Sequence, residues 1–200
     1  MSPAHVLEPT YEAIRQRLKA GIWPAGGRLE AVKIADDLGV SMTPVRDSLY
    51  RLAGERMVVF AHGEGFHVPR LTETEFRDML ELNLVLLLSA LAIGGSGPHL
   101  PPATETEDPC RTAALFDAIA HRSGNAELAT AIAALNDRLH PTRRLDAIIL
   151  EDSAAEITAI EAAFDDENRG GTTRQLVIRY HERRAREAAA YAQLLANQGA

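Results

Sequence analysis

Ser41, Thr43 and Arg46 have the types and spacing that best suit chemistry in this chain, and that chemistry is hydrogen bonding to a polyanion rather than bond breaking. They lie in residues 39–52, Gly-Val-Ser-Met-Thr-Pro-Val-Arg-Asp-Ser-Leu-Tyr-Arg-Leu. Gly39 can adopt the left-handed conformation that ends one helix, and Ser41 or Thr43 offers an oxygen to cap the next. Pro44 then falls in the first turn, where its missing N–H costs nothing. Val45, Leu49 and Leu52 recur at helical spacing and face a core, which turns Thr43, Arg46 and Tyr50 or Arg51 outward. A helix start of this kind presents free N–H groups to a phosphate, and an arginine one turn in reaches a guanine edge. The stretch reads as the recognition helix of a helix-turn-helix.

Other reactive side chains suggest less. Asp117 and His121 stand one helical turn apart and are expected to form a solvated contact on an exposed face. The run at residues 182–187, Glu-Arg-Arg-Ala-Arg-Glu, has the pattern of a solvated helix face. The chain carries no glycine-rich phosphate loop, nucleophile elbow or paired catalytic carboxylates, so no catalytic residue is assigned and an enzyme is the weaker reading. The single cysteine, Cys110, excludes an internal disulfide and a multi-thiolate zinc site, fits a reducing cytoplasm, and is expected as a small buried or half-buried side chain.

These groups need elements to position them. Two hundred residues, 46% of them hydrophobic, suit one domain or two small ones. The net charge of -7 is unevenly spread, with 9 Lys+Arg against 8 Asp+Glu in residues 1–70 and 12 against 20 in the remainder. Phosphate binding at the amino-terminal end therefore depends on a local arginine cluster and should be weak and salt-sensitive where it is non-specific. Residues 9–21 carry Tyr11, Ile14, Leu18 and Ile22 at helical spacing and form an amphipathic first helix, closed by the glycines and proline of residues 21–29. A second helix over residues 30–38 turns Ile34, Ala35 and Leu38 inward, and the recognition helix runs to about residue 56. Two short strands, 58–60 and 66–68, flank a glycine-bearing turn and make a hairpin wing.

Beyond Arg70 the pattern becomes wholly helical. Thr72 and Glu75 have capping-box spacing at the start of a helix running to about Gly94. Its second half is apolar on nearly every side, which suits both a core and a dimer interface. The apolar run 84–93 is too short to span a bilayer, and no signal peptide is read at the amino terminus. Residues 94–107 read as a flexible loop, followed by helices over about 109–122, 126–139, 153–165 and 173–197. Asn125 caps one of them, Pro141 interrupts the next stretch, and Gly170-Gly171 separates the last two.

This order of parts is a winged helix-turn-helix, and its residues resemble the GntR family of bacterial transcription regulators. The turn carries Gly21, Pro24, Gly26 and Leu29; the family's Ser-Arg-Thr-Pro-Val-Arg-Glu-Ala-Leu stands here as residues 41–49; its Arg-Gly-Phe-x-Val wing stands as residues 64–68. Met42 and Glu64 depart from that pattern by removing basic residues. The helical remainder resembles the FadR-type subfamily, whose FCD domain binds a small effector, usually a carboxylate, and forms the dimer. Residues 116–125 carry this resemblance, together with the last two helices.

Many members of that subfamily hold a divalent metal with one aspartate and three histidines. The resemblance places the four positions at Thr112, Phe116, Ile157 and His181, of which only His181 carries a ligand, so no cofactor or metal is expected. The same four residues are then candidates for an apolar effector pocket. Arg143, Arg144, Arg179, Arg183 and Arg184 could supply carboxylate contacts, with none singled out.

The expectation is a mainly α protein: a winged helix-turn-helix DNA-binding domain over 1–70 and an all-α effector and dimerisation bundle over 71–200. Its partners are double-stranded DNA with an inverted repeat, a second copy of the chain and a small organic effector, in the cytoplasm and without a membrane. Lys33 and Ser41 are assigned to phosphate, Thr43 and Arg46 to base or phosphate, Pro44 to the first turn of the helix that carries them, and Gly65 to the close approach of the wing. The alternative is a DNA-binding dimer with a ligand-independent second domain that responds to a protein partner or to nothing.

Overall fold

A computed structural model describes residues 4–94, 108–166 and 170–198 of the chain; the loop expected at 94–107 lies, beyond Gly94, outside them. The described chain is mainly helical, with one small antiparallel sheet. It divides into two compact units, one through Leu71 with the residues from Leu194 on, the other Thr72–Gln193.

In the first unit α1 (Ala4–Lys19) buries Tyr11, Ile14 and Leu18. It starts upstream of the expected position and carries Pro9 inside it, while Ile22, expected on the apolar face, is 63% exposed in the turn beyond. Strand β1 (Arg28–Leu29) follows, then α2 (Ala31–Leu38) and α3 (Met42–Gly54), with strands β2 (Val59–Ala61) and β3 (Gly65–His67) making the wing. The sheet order is β1-β3-β2, with Leu29 opposite Phe66 and Phe60 opposite Phe66 on the other side. A two-residue strand is too short for alternation to reveal, so β1 has no signature in the sequence. Ile34, Ala35, Val45, Leu49, Leu52 and Phe66 complete the core on which α2 and α3 pack.

In the second unit α4 (Glu73–Ile93) starts at a capping box: Glu75 N–H donates to the Thr72 hydroxyl, and Thr72 N–H to the Glu75 carboxylate. The unit continues with α5 (Asp108–Arg122), α6 (Ala126–Arg143), α7 (Asp146–Ile149), α8 (Ser153–Asp165), α9 (Gly170–Arg186) and the greater part of α10 (Ala188–Asn197). Asn125 caps α6 by accepting from the N–H groups of Glu127 and Leu128. Pro141 does not end α6. The helix runs through it to Arg143 because Thr142 and Arg143 are buried, and that packing outweighs one lost backbone bond. The expected helix over 173–197 starts earlier, at Gly170, and breaks at Glu187 into α9 and α10. Leu87, Leu115, Phe116, Ile119, Ile157, Ile160, Val177 and Tyr180 form the core between the helices.

Candidate nucleic-acid interface and helical-unit site

Gly39 ends α2 in the left-handed region (φ 65, ψ 32), its N–H directed to the carbonyls of Ala35 and Asp36. Only a residue without Cβ takes this conformation cheaply, and the sharp turn it makes sends the chain into α3. Ser41 stands at the N-cap of α3, yet neither it nor Thr43 makes the expected side-chain cap: no side-chain hydrogen bond closes that end. The first N–H groups of α3 and the Ser41 hydroxyl therefore remain available to an outside acceptor. Pro44 lies in the first turn, and its carbonyl accepts from the buried Ser48 hydroxyl at 2.7 Å.

Val45, Ser48, Leu49 and Leu52 face the core, whereas Ser41, Met42, Thr43, Arg46 and Tyr50 are exposed. Arg46 has no ion-pair or hydrogen-bond partner among the described residues. Arg51, one of two outward candidates, instead turns back toward α1, where it bonds Glu8 at 2.8 Å and lies 3.6 Å above the Tyr11 ring. The other candidate, Tyr50, packs edge-on against Phe66 at 4.9 Å and near Phe60 at 5.3 Å, bracing the wing on α3. Lys33 is exposed on α2 and paired with Glu30 at 2.7 Å, a surface contact worth little and easily exchanged for a phosphate. In the wing, Gly65 has φ 93 and Glu64 is exposed beside it.

In the second unit Thr112, Phe116, Ile157 and His181 are all buried. Phe116 lies almost parallel to the His181 ring, 5.7 Å between centroids and 16° between planes, and Phe116 and Ile157 belong to one core. His181 Nδ1 is 2.7 Å from the Val177 carbonyl and Nε2 is 2.9 Å from the Asn83 side chain. Burial pushes its pKa down to about 3, so the ring is neutral and carries one N–H, which donates either from Nδ1 to the Val177 carbonyl or from Nε2 to Asn83 Oδ1. With both nitrogens engaged and three of the four positions lacking an imidazole or carboxylate, these residues do not fit a divalent ion. Among the described residues there is no cluster of three or more His, Cys, Asp or Glu placed to hold one.

Sequence reasoning missed the polar residues that organise this interior. Asn83 was legible only as a polar side chain at the edge of an apolar run. Arg184, 2% exposed, donates from Nε and Nη2 to Asp146 at 3.0 and 2.6 Å and from Nη1 to Glu156 at 2.7 Å, while the Tyr191 hydroxyl donates to the same Asp146. It is therefore not part of a solvated face. Asp117 is not a simple surface group either: it accepts from Asn136 at 2.7 Å, and burial raises its pKa. His121 Nδ1 bonds the Asp117 carbonyl rather than the carboxylate. Cys110, expected buried or half-buried, is exposed.

Residues 8–68 match the family model described as bacterial regulatory proteins, gntR family. The chain carries a GntR-family helix-turn-helix domain. It is 30% identical over 80 residues to the HTH-type transcriptional regulator McbR of Escherichia coli, and 27% identical over 86 residues to an HTH-type transcriptional regulator of Agrobacterium vitis. Those matches span 40% and 43% of this chain, and 36% and 50% of the two relatives' lengths. The fold extends further than the sequence match. The structure of E. coli McbR superposes with a TM-score of 0.68 at 21% identity, covering 94% of this chain and 97% of that one. A transcriptional regulator GntR from Rhodococcus sp. RHA1 gives 0.75 at 14% identity, covering 93% and 98%. A winged helix-turn-helix domain followed by a helical domain is thus the fold of the described chain.

Proposed function

We propose that the protein is a DNA-binding transcription regulator, a homodimeric repressor acting in the cytoplasm whose helical domain senses a small organic molecule without a bound metal. Residues 1–70 serve as the DNA-binding domain and 71–200 as the effector and dimerisation domain. The observation that carries the reading is the outward face of α3, where Ser41, Thr43 and Arg46 stand around uncapped N–H groups with the arginine unpaired. Inserted in a major groove, that face places Thr43 and Arg46 on base edges or phosphate and Ser41 on phosphate, with Lys33 on a neighbouring phosphate and Gly65 letting the wing approach closely. Exposed Leu82, Val85 and Ile93 on α4 supply an apolar stripe for a second copy, and a two-fold dimer requires two half-sites. Among the described residues no helix is long and apolar enough to cross a membrane. The packing of Phe116 on His181 favours a second reading, in which the helical domain dimerises but binds no effector.

Selection from a random duplex pool by the purified protein at near-physiological salt tests the proposal. Enrichment of an inverted repeat is the expected result; enrichment of nothing, or of a single unrepeated site, counts against the dimeric regulator.

A further inference from the structure

The outward face of α3 carries one side chain that neither core packing nor phosphate binding explains. Val40 packs against the core of the first unit just before α3 begins, and Val45 lies inside it. Met42, the first residue of α3, is 42% exposed and takes no part in that core. The helix has one other large exposed apolar side chain, Tyr50, and that ring is held by Phe66 and Phe60. Met42 stands between the exposed Ser41 and Thr43, beside the uncapped N–H groups, with the unpaired Arg46 one helical turn further along the same face. A thioether has no hydrogen to donate and is only a weak acceptor, so it gives a phosphate nothing. Its unbranched, polarisable chain moulds to an apolar group instead.

We propose that Met42 is a specificity-determining residue that reads the 5-methyl group of a thymine in the major groove. The N–H groups, hydroxyls and arginine around it suit a polyanion rather than the apolar groove of a protein. Of the groups that the four bases present in the major groove, the thymine methyl alone is apolar, and the others donate or accept hydrogen bonds. The first residues of a helix docked in that groove are the ones that reach base edges. Four residues separate Met42 from Arg46, about 6 Å along the helix axis, and base pairs stack at about 3.4 Å, so the thymine lies within about two base pairs of the position that Arg46 reads. The inference rests on α3 reading DNA and assigns one base of the sequence it prefers.

The test is fluorescence anisotropy of the full chain, at constant salt, on the duplex that it selects, with each thymine replaced in turn by deoxyuridine. That exchange removes one methyl group and leaves every hydrogen-bonding atom of the base pair in place. For the wild-type chain, deoxyuridine at one thymine of the half-site, close to the position whose discrimination Arg46→Ala loses, is expected to weaken binding about fourfold, the worth of burying one methyl group. Met42→Ala should bind the thymine and deoxyuridine duplexes equally, whereas Met42→Leu, which keeps an apolar side chain, should retain the difference. Unchanged urea midpoints show that both variants fold. If no thymine has such an effect in the wild-type chain, or if the effect is undiminished in Met42→Ala, the proposal is overturned and the DNA-binding reading stands. Failure to select any duplex overturns both.

Discussion

Glu64 sets a negative charge on the exposed turn of the wing, where a phosphate would approach. Replacing it by arginine is expected to strengthen DNA binding roughly tenfold at low salt and to steepen the log-affinity against log-salt slope by about one, the signature of one added phosphate contact. A salt titration by fluorescence anisotropy reads both, and an unchanged slope would place the wing away from the backbone. His181 makes a different prediction, about stability. Its pKa in the fold lies near 3 because burial disfavours the imidazolium, against about 6.5 in the unfolded chain. Between those values the unfolded chain binds a proton that the folded one refuses, so this group weakens the fold as pH falls below about 6.5. Its contribution between pH 7 and pH 5 is a loss of about 2 kcal/mol, and His181→Gln should remove that part of the pH dependence of the urea midpoint. The sequence showed His181 as a lone imidazole. Its partner Asn83 sits 98 positions away, and no local pattern joins them.

Helix ends governed by neighbouring residues were legible, and helix ends governed by distant packing were not. The capping pair Thr72 and Glu75, the cap Asn125 and the left-handed Gly39 each act within a few residues, and each terminates its element as local chemistry dictates. Pro141 carried the opposite local signal, but burial of Thr142 and Arg143 holds α6 together beyond it. The α9–α10 break at Glu187 and the four-residue α7 are set by the buried network of Arg184, Asp146, Glu156 and Tyr191, which ties α7, α8, α9 and α10 together. Arg184→Ala should cost about 3–5 kcal/mol of folding free energy by leaving Asp146 buried and unpaired. Chemical denaturation measures this, and a loss under about 1 kcal/mol would show the network to be solvated rather than structural.

At the scale of the whole molecule, charge and fold separate the two tasks. Residues 1–70 are close to neutral and the remainder is acidic, so on the proposed function non-specific attraction to DNA should be weak and discrimination should come from base contacts. The winged fold could be read from sequence because the Gly39 turn, Pro44 and the core spacing of Val45, Leu49 and Leu52 lie within a single short stretch. The interior of the helical domain could not, because its polar partners are brought together from α4, α5, α6 and α9 only by folding. The central claim is that α3 reads DNA through Arg46. The most direct test is competition between the selected duplex and a scrambled one, for the wild-type chain and Arg46→Ala at the same salt. The account predicts that the variant loses about 1–3 kcal/mol of discrimination while retaining most of its non-specific binding. Equal discrimination by both proteins would contradict it.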